Sequence, residues 1–187
     1  MISQQERQQA ADALFEAGRT SKPIAQVSKT WPEMEIEDSY VVQQLWADKR
    51  VQAGARVIGH KIGLTSRAMQ QASKMTEPDY GVLLDDMTYA DGARIHVSLF
   101  SAPRLEVELA FVLGKRLGGK NVTIFDVLDA TAYVTPALEI IDYRTEVPRA
   151  IVDTIADNAA AAGMVTGGRP VRPMDVDLRW CAATLSK

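Results

Sequence analysis

The chain has one cysteine and two histidines in 187 residues, and that scarcity sets the first limits. A single cysteine rules out an internal disulfide framework and suits a reducing compartment. With so few soft ligands, a tetrahedral cysteine–histidine zinc site is a poor reading. Aromatic residues are sparse at 6%, and there is no excess of basic charge: 21 Lys plus Arg stand against 24 Asp plus Glu. A net charge of −3 lacks the concentrated basic surface that nucleic acid demands. No apolar run approaches the roughly 18 residues of a membrane span. The opening Met1-Ile2-Ser3-Gln4-Gln5-Glu6 lacks the basic-then-apolar layout of a signal peptide. The expectation is a cytoplasmic protein with no nucleic-acid or membrane partner. Its chemistry must come from oxygen ligands, lysine, hydroxyls and backbone.

What is present is the composition of an ordinary globular chain, 47% hydrophobic and 24% charged. A chain of this length buries about 70% of its unfolded surface and needs no staple. Residues 1–54 read as a helical arm. Ala10/Leu14 and Ala11/Phe15 are spaced i,i+4 with Gly18 as a stop, and Val41/Leu45 and Val42/Trp46 repeat the spacing before Gly54. Residues 55–187 change character. Val57–Gly63 reads as a strand whose glycines signal close backbone approach, and Glu77–Gly81 and Asp91-Gly92 as turns. Leu105–Leu113 and Tyr133–Asp142 read as strands, Thr123–Ala130 as a capped helix and Ile151–Ile155 as a short one, with Val171–Trp180 strand-like. Without regular βα alternation, this pattern predicts a mixed, β-rich α+β fold. The chain stops directly after an apparent strand, whose unpaired edge natural proteins cover. That predicts a domain shortened at its C-terminus.

Five segments carry candidate chemistry. In Arg104–Leu113 a period of two puts Leu105, Val107, Leu109, Phe111 and Leu113 on one face. Glu106 and Glu108 share the other, with Cα atoms about 7 Å apart. Two carboxylates beside apolar surface repel unless a cation neutralises them, though a solvated Glu-x-Glu reads the same. Glu139, between apolar neighbours on the second strand, adds a third carboxylate, or else pairs with an arginine such as Arg144. Three such oxygens match what Mg²⁺ or Mn²⁺ prefers. In Gly59–Ser66, Lys61 is bracketed by glycines at a strand end. It could reach a ligand carboxylate or transfer a proton, or simply be a surface lysine. Alternation turns His60 away from the Lys61 face. Asp79, on its turn, and Asp157-Asn158 could each be acid/base groups or local hydrogen-bonding and capping residues.

Taken in order, Gly59–Ser66, Glu77–Gly81, Pro103–Glu108 and Ala137–Asp142 resemble the 2-oxo-alkenoate hydratase/decarboxylase family of the fumarylacetoacetate hydrolase superfamily. Asp157–Gly163 and Asp177–Trp180 extend the likeness, which spans the chain from its second helix to Trp180. The His60-Lys61 pair and the Leu83–Met87 run resemble members acting on 2-oxo-hept-4-ene-1,7-dioate. The resemblance implies a β-rich catalytic domain after the helical arm and Mg²⁺ or Mn²⁺ held by Glu106, Glu108 and Glu139. It gives Lys61 a place facing the substrate and makes Asp79 the acid/base group nearby. The implied reaction is hydration of a small 2-oxo-alkenoate, or of its 2-hydroxy-dienoate tautomer, in meta-cleavage catabolism of aromatic compounds by a homo-oligomer. Decarboxylation of 4-oxalocrotonate type is the alternative within the family, with a non-catalytic partner subunit the alternative outside it. Hydrolysis of an acylpyruvate ranks lower, since neither histidine sits in an evident dyad. Relatives carry a further glycine- and serine-bearing segment that helps close their substrate pocket. The stretch from Arg144 to Arg149 is shorter here than in the heptenedioate hydratases.

Overall fold

A computed structural model describes residues 1–184. It is an α+β structure in which helices α1 (Gln4–Thr20), α2 (Val27–Thr30) and α3 (Ile36–Gln52) come first. Strand β1 (Val57–Gly63), helix α4 (Arg67–Ala72) and strands β2 (Asp79–Leu84), β3 (Thr88–Tyr89) and β4 (Arg104–Leu113) follow. Helix α5 (Ile124–Ala130), strand β5 (Thr131–Ile141), helix α6 (Ile151–Ala156) and strand β6 (Ala161–Thr166) complete the order. β1 and β2 form an antiparallel pair, and the other strands make a sheet ordered β3-β6-β5-β4 with β4 at an edge. Among the described residues, no helix is long and apolar enough to cross a membrane.

The chain divides into two compact units. The first comprises Met1–Thr88, Arg94–Arg104 and Ile140–Gly163; the second comprises Tyr89–Ala93, Leu105–Glu139 and the residues from Met164 onward. In the first unit α1 starts at a capping box, where Ser3 and Glu6 satisfy each other's backbone N–H groups. Its buried stripe of Ala10, Ala11 and Leu14 packs into one core with Val42, Trp46 and Ala47 of α3, Val82 and Leu84 of β2, and Ala156 of α6. The two long helices therefore back the strand that carries Asp79.

Buried aspartates join the elements of this unit. Asp38 is fully buried and accepts from the backbone N–H groups of Ile2 and Glu35, at 3.2 and 3.0 Å. Arg7 adds Nε at 2.9 Å and Nη2 at 2.6 Å. Asp153, at the start of α6, accepts from the backbone and hydroxyl of Ser28 on α2, both at 2.8 Å. Asp157 takes the Arg144 guanidinium at 2.8 Å and the Arg144 backbone N–H at 2.7 Å.

Three local expectations fail for identifiable reasons. Gly18 does not stop α1, which runs on to Thr20 and ends where Ser21 turns left-handed at φ 51°. The glycine serves packing instead, because a Cβ there would sit 3.2 Å from Nε of Arg144. Glu77–Gly81 is not a turn through to its end: Asp79, Tyr80 and Gly81 already belong to β2, and Gly81 keeps a negative φ. Val171–Trp180 contributes a single bridge, Val171 to Val134, because Pro173 removes a donor and Asp175 and Asp177 bond locally.

The Asp38 joint gives a stability prediction. Its carboxyl lies below the usual carboxylate range: burial works to raise it but is outweighed by the hydrogen bonds from Glu35, Arg7 and Ile2. A depressed folded value stabilises above the unfolded value, and that contribution is lost as pH falls through the folded one. Asp38→Ala should therefore cost about 2–3 kcal/mol at pH 7, below the range for fully buried pairs because Arg7 is partly exposed. The gap should narrow below about pH 4. Urea melts of both proteins at pH 7 and pH 3 check this, and an equal gap at both would contradict it.

Candidate active site

The second unit holds the acidic cluster. Alternation along β4 sends Glu106 and Glu108 to the same face. β5 lies beside β4 in the sheet and brings Glu139 to them. One carboxylate oxygen from each of the three lies within 4.8 Å of the others. Among the described residues it is the one such cluster. Glu106 and Glu108 are exposed, whereas Glu139 is 6% exposed. Arg144, the arginine that might have neutralised Glu139, is engaged with Asp157. An all-oxygen set at this spacing fits a hard divalent cation such as Mg²⁺ or Mn²⁺, with water or a bidentate ligand filling the remaining positions. The other face of β4 is open: Leu105, Val107 and Leu109 are 58%, 49% and 37% exposed.

The first unit holds Lys61 and Asp79. In the β1/β2 register Lys61 faces Gly81 and Gly63 faces Asp79, so Lys61 and Asp79 are diagonal neighbours on one face. Gly63 is what lets them meet. A Cβ there would run into the Asp79 carboxylate and lie 3.4 Å from Lys61 Nζ. Asp79 is 4% exposed, and Lys61 Nζ donates to the backbone carbonyl of Ala159 at 3.0 Å. His60 lies on the opposite face, edge-on to Tyr80 at 6.5 Å between ring centroids, and Tyr80 in turn stacks on Tyr40 at 4.6 Å. Burial, followed by the negative charge of Asp79, pushes the Tyr40 phenol above its ordinary range.

The structure thus brings together Glu106, Glu108 and Glu139 in one unit and Lys61 with Asp79 in the other. Sequence reasoning missed several residues around Lys61. Gln43 of α3 donates to the carbonyls of Tyr80 and Ile155, both at 2.9 Å, and ties β2 to α6. Asn158, read only as a possible cap or acid/base neighbour, bonds the backbone of Val82 with both ends of its amide. Its one sequence signal was the tolerance of asparagine for left-handed backbone.

No family model matches the chain. It is 50% identical over 182 residues to the 2-oxo-hept-4-ene-1,7-dioate hydratase of Escherichia coli, a match covering 94% of this chain and 68% of that protein. It is 40% identical over 187 residues to the 2-keto-4-pentenoate hydratase of Paraburkholderia xenovorans strain LB400, covering all of this chain and 70% of the relative. Among solved structures, the 4-oxalocrotonate decarboxylase of Pseudomonas putida G7, complexed with magnesium and adipate, superposes with a TM-score of 0.91 at 31% identity. That match covers 96% of this chain and 68% of the decarboxylase.

The carboxylate cluster predicts its own response to substitution. Titration calorimetry with Mg²⁺ should give saturable binding by the wild-type chain and none by the Glu106→Gln/Glu108→Gln double variant. The variant's Tm without metal should equal or exceed that of wild type, because two like charges have been removed. Equal Mg²⁺ affinity in the two proteins would contradict the assignment.

Proposed function

This chain belongs to the 2-oxo-alkenoate hydratase/decarboxylase family of the fumarylacetoacetate hydrolase superfamily, and from that premise we propose that it is a divalent-metal-dependent hydro-lyase. Its substrate is a 2-oxo-alkenoate of the 2-oxo-hept-4-ene-1,7-dioate type, formed when aromatic compounds are degraded by meta-cleavage. The convergence of Glu106, Glu108 and Glu139 within 4.8 Å carries this reading.

Glu106, Glu108 and Glu139 would hold the cation, which when bound would supply Lewis-acid polarisation of the substrate's 2-oxo group. Lys61 and Asp79 move the protons. The 4-ene must first become the conjugated 3-ene, losing a proton at C3 and gaining one at C5. Water then adds across C3–C4, with its oxygen going to C4 and a proton to C3. A carboxyl and an ammonium side by side on one strand pair can take and return protons in such a sequence. The burial of Asp79 keeps competing solvent from its carboxyl. The proposed setting is the cytoplasm, which a chain with one cysteine suits. A homo-oligomer belongs to the same proposal, supported by the exposed apolar side chains on β4.

The likeness to a decarboxylase of known structure favours one second reading, loss of CO₂ from a 4-oxalocrotonate-type acid. A substrate panel with Mg²⁺ separates the two. The hydratase reading predicts turnover of 2-oxo-hept-4-ene-1,7-dioate with one solvent oxygen incorporated at C4 and no CO₂ released. Turnover of 4-oxalocrotonate alone, with CO₂ release, would transfer the assignment to decarboxylation. No turnover of either by folded, Mg²⁺-binding protein would overturn both. Lys61→Met and Asp79→Asn should each lower kcat by roughly 10²–10⁴-fold while Mg²⁺ binding persists.

A further inference from the structure

Residues 158–160 form a left-handed turn built without glycine. Asn158, Ala159 and Ala160 have φ of 55°, 49° and 61° in succession. Such backbone is strained for a residue with a side chain and persists only where the surroundings hold it there. Two clamps do so. On the N-terminal side, Asp157 is fully buried against Arg144. Within the turn, the fully buried Asn158 side chain accepts from the Val82 N–H at 2.7 Å and donates to the Val82 carbonyl at 2.9 Å, as a neighbouring strand would.

The clamp has a consequence at Lys61. Gly81 faces Lys61 across the β1/β2 ladder, and a Cβ on it would lie 2.5 Å from the Asn158 carbonyl oxygen. The missing side chain is what admits the turn against β2. The left-handed backbone then presents the carbonyl of Ala159 to Lys61 Nζ at 3.0 Å. A carbonyl only accepts hydrogen bonds, so it fixes the direction of one ammonium N–H.

We infer that Asn158 is a positioning residue for Lys61: by pinning the left-handed turn to Val82, it sets the Ala159 carbonyl that orients the lysine for proton transfer. This rests on the reading above that Lys61 serves the reaction. The strained backbone and the Lys61 contact therefore fall within the same three residues.

The test compares Asn158→Asp, Gly81→Ala and Lys61→Met with wild type in the presence of Mg²⁺. Asn158→Asp keeps the shape and the acceptor for the Val82 N–H but sets a carboxylate oxygen against the Val82 carbonyl. Gly81→Ala leaves Asn158 intact and displaces the turn. For either variant that folds, kcat should fall at least tenfold while KM and the calorimetric Mg²⁺ affinity stay within about twofold. With kcat referred to the Mg²⁺-binding stoichiometry, that split marks a loss confined to the transition state, whereas partial unfolding would lower the stoichiometry in step with the rate. Wild-type kcat in a folded Asn158→Asp protein, with Lys61→Met inactive, would overturn the positioning role and leave the function of Lys61 standing. Full activity in Lys61→Met would instead remove the premise. A measurement on unaltered protein covers the case where neither turn variant folds. Lys61 should undergo reductive methylation at least tenfold more slowly than the exposed Lys74, and equal rates would overturn the inference.

Discussion

Three carboxylates whose oxygens lie within 4.8 Å of one another repel, and Glu139, the buried member, has given up most of its hydration. A divalent cation held there would relieve that repulsion and would supply a Lewis acid, which the side chains themselves do not offer. The sheet meets this demand simply. Glu106 and Glu108 share a face because they are two apart on β4, and β5 lies alongside to bring in Glu139. Relatives at 50% and 40% identity are named hydratases, and a solved neighbour carries magnesium, in keeping with a family whose chemistry is organised around a hard metal ion.

The first unit depends on buried polar joints as much as on its apolar core. Asp38, Asp153 and Asp157 each take several donors from elements distant in sequence, so every lost hydration shell is replaced by charge-assisted hydrogen bonds. Such joints add little net stability compared with apolar packing, but a wrong arrangement leaves a buried charge unpaired. They therefore favour one geometry over its near neighbours. The proton-transfer pair proposed above would need that kind of definition. Lys61 and Asp79 sit on a two-stranded ladder, and the helices, Gln43 and the 158–160 turn hold that ladder from behind.

Much of this was legible in the sequence where periodicity governs. The alternation in Arg104–Leu113 put Glu106 and Glu108 on one face, and the i,i+4 spacings outlined α1 and α3. Features set by tertiary contact were hidden. Gly18 looked like a helix stop because its real neighbour, Arg144, is 126 residues away. Pro78 and Gly81 looked like turn chemistry around Asp79, yet Gly81 is small because the Asn158 carbonyl approaches it, with no demand for positive φ. Apart from the asparagine at 158, the left-handed turn at 158–160 gave no warning, since its other two residues are alanines whose own preference is helical. The convergence of Glu139 on the β4 pair depends on how β5 lies against β4, which no local pattern encodes.

The central claim is that Glu106, Glu108 and Glu139 together bind the metal. The most direct measurement is anomalous diffraction from crystals of the chain soaked in Mn²⁺. The account predicts one strong anomalous peak bonded to an oxygen of each of the three glutamates, at about the 2.0–2.2 Å expected for a small hard cation. A peak held by other residues, or none at saturating Mn²⁺, would contradict it.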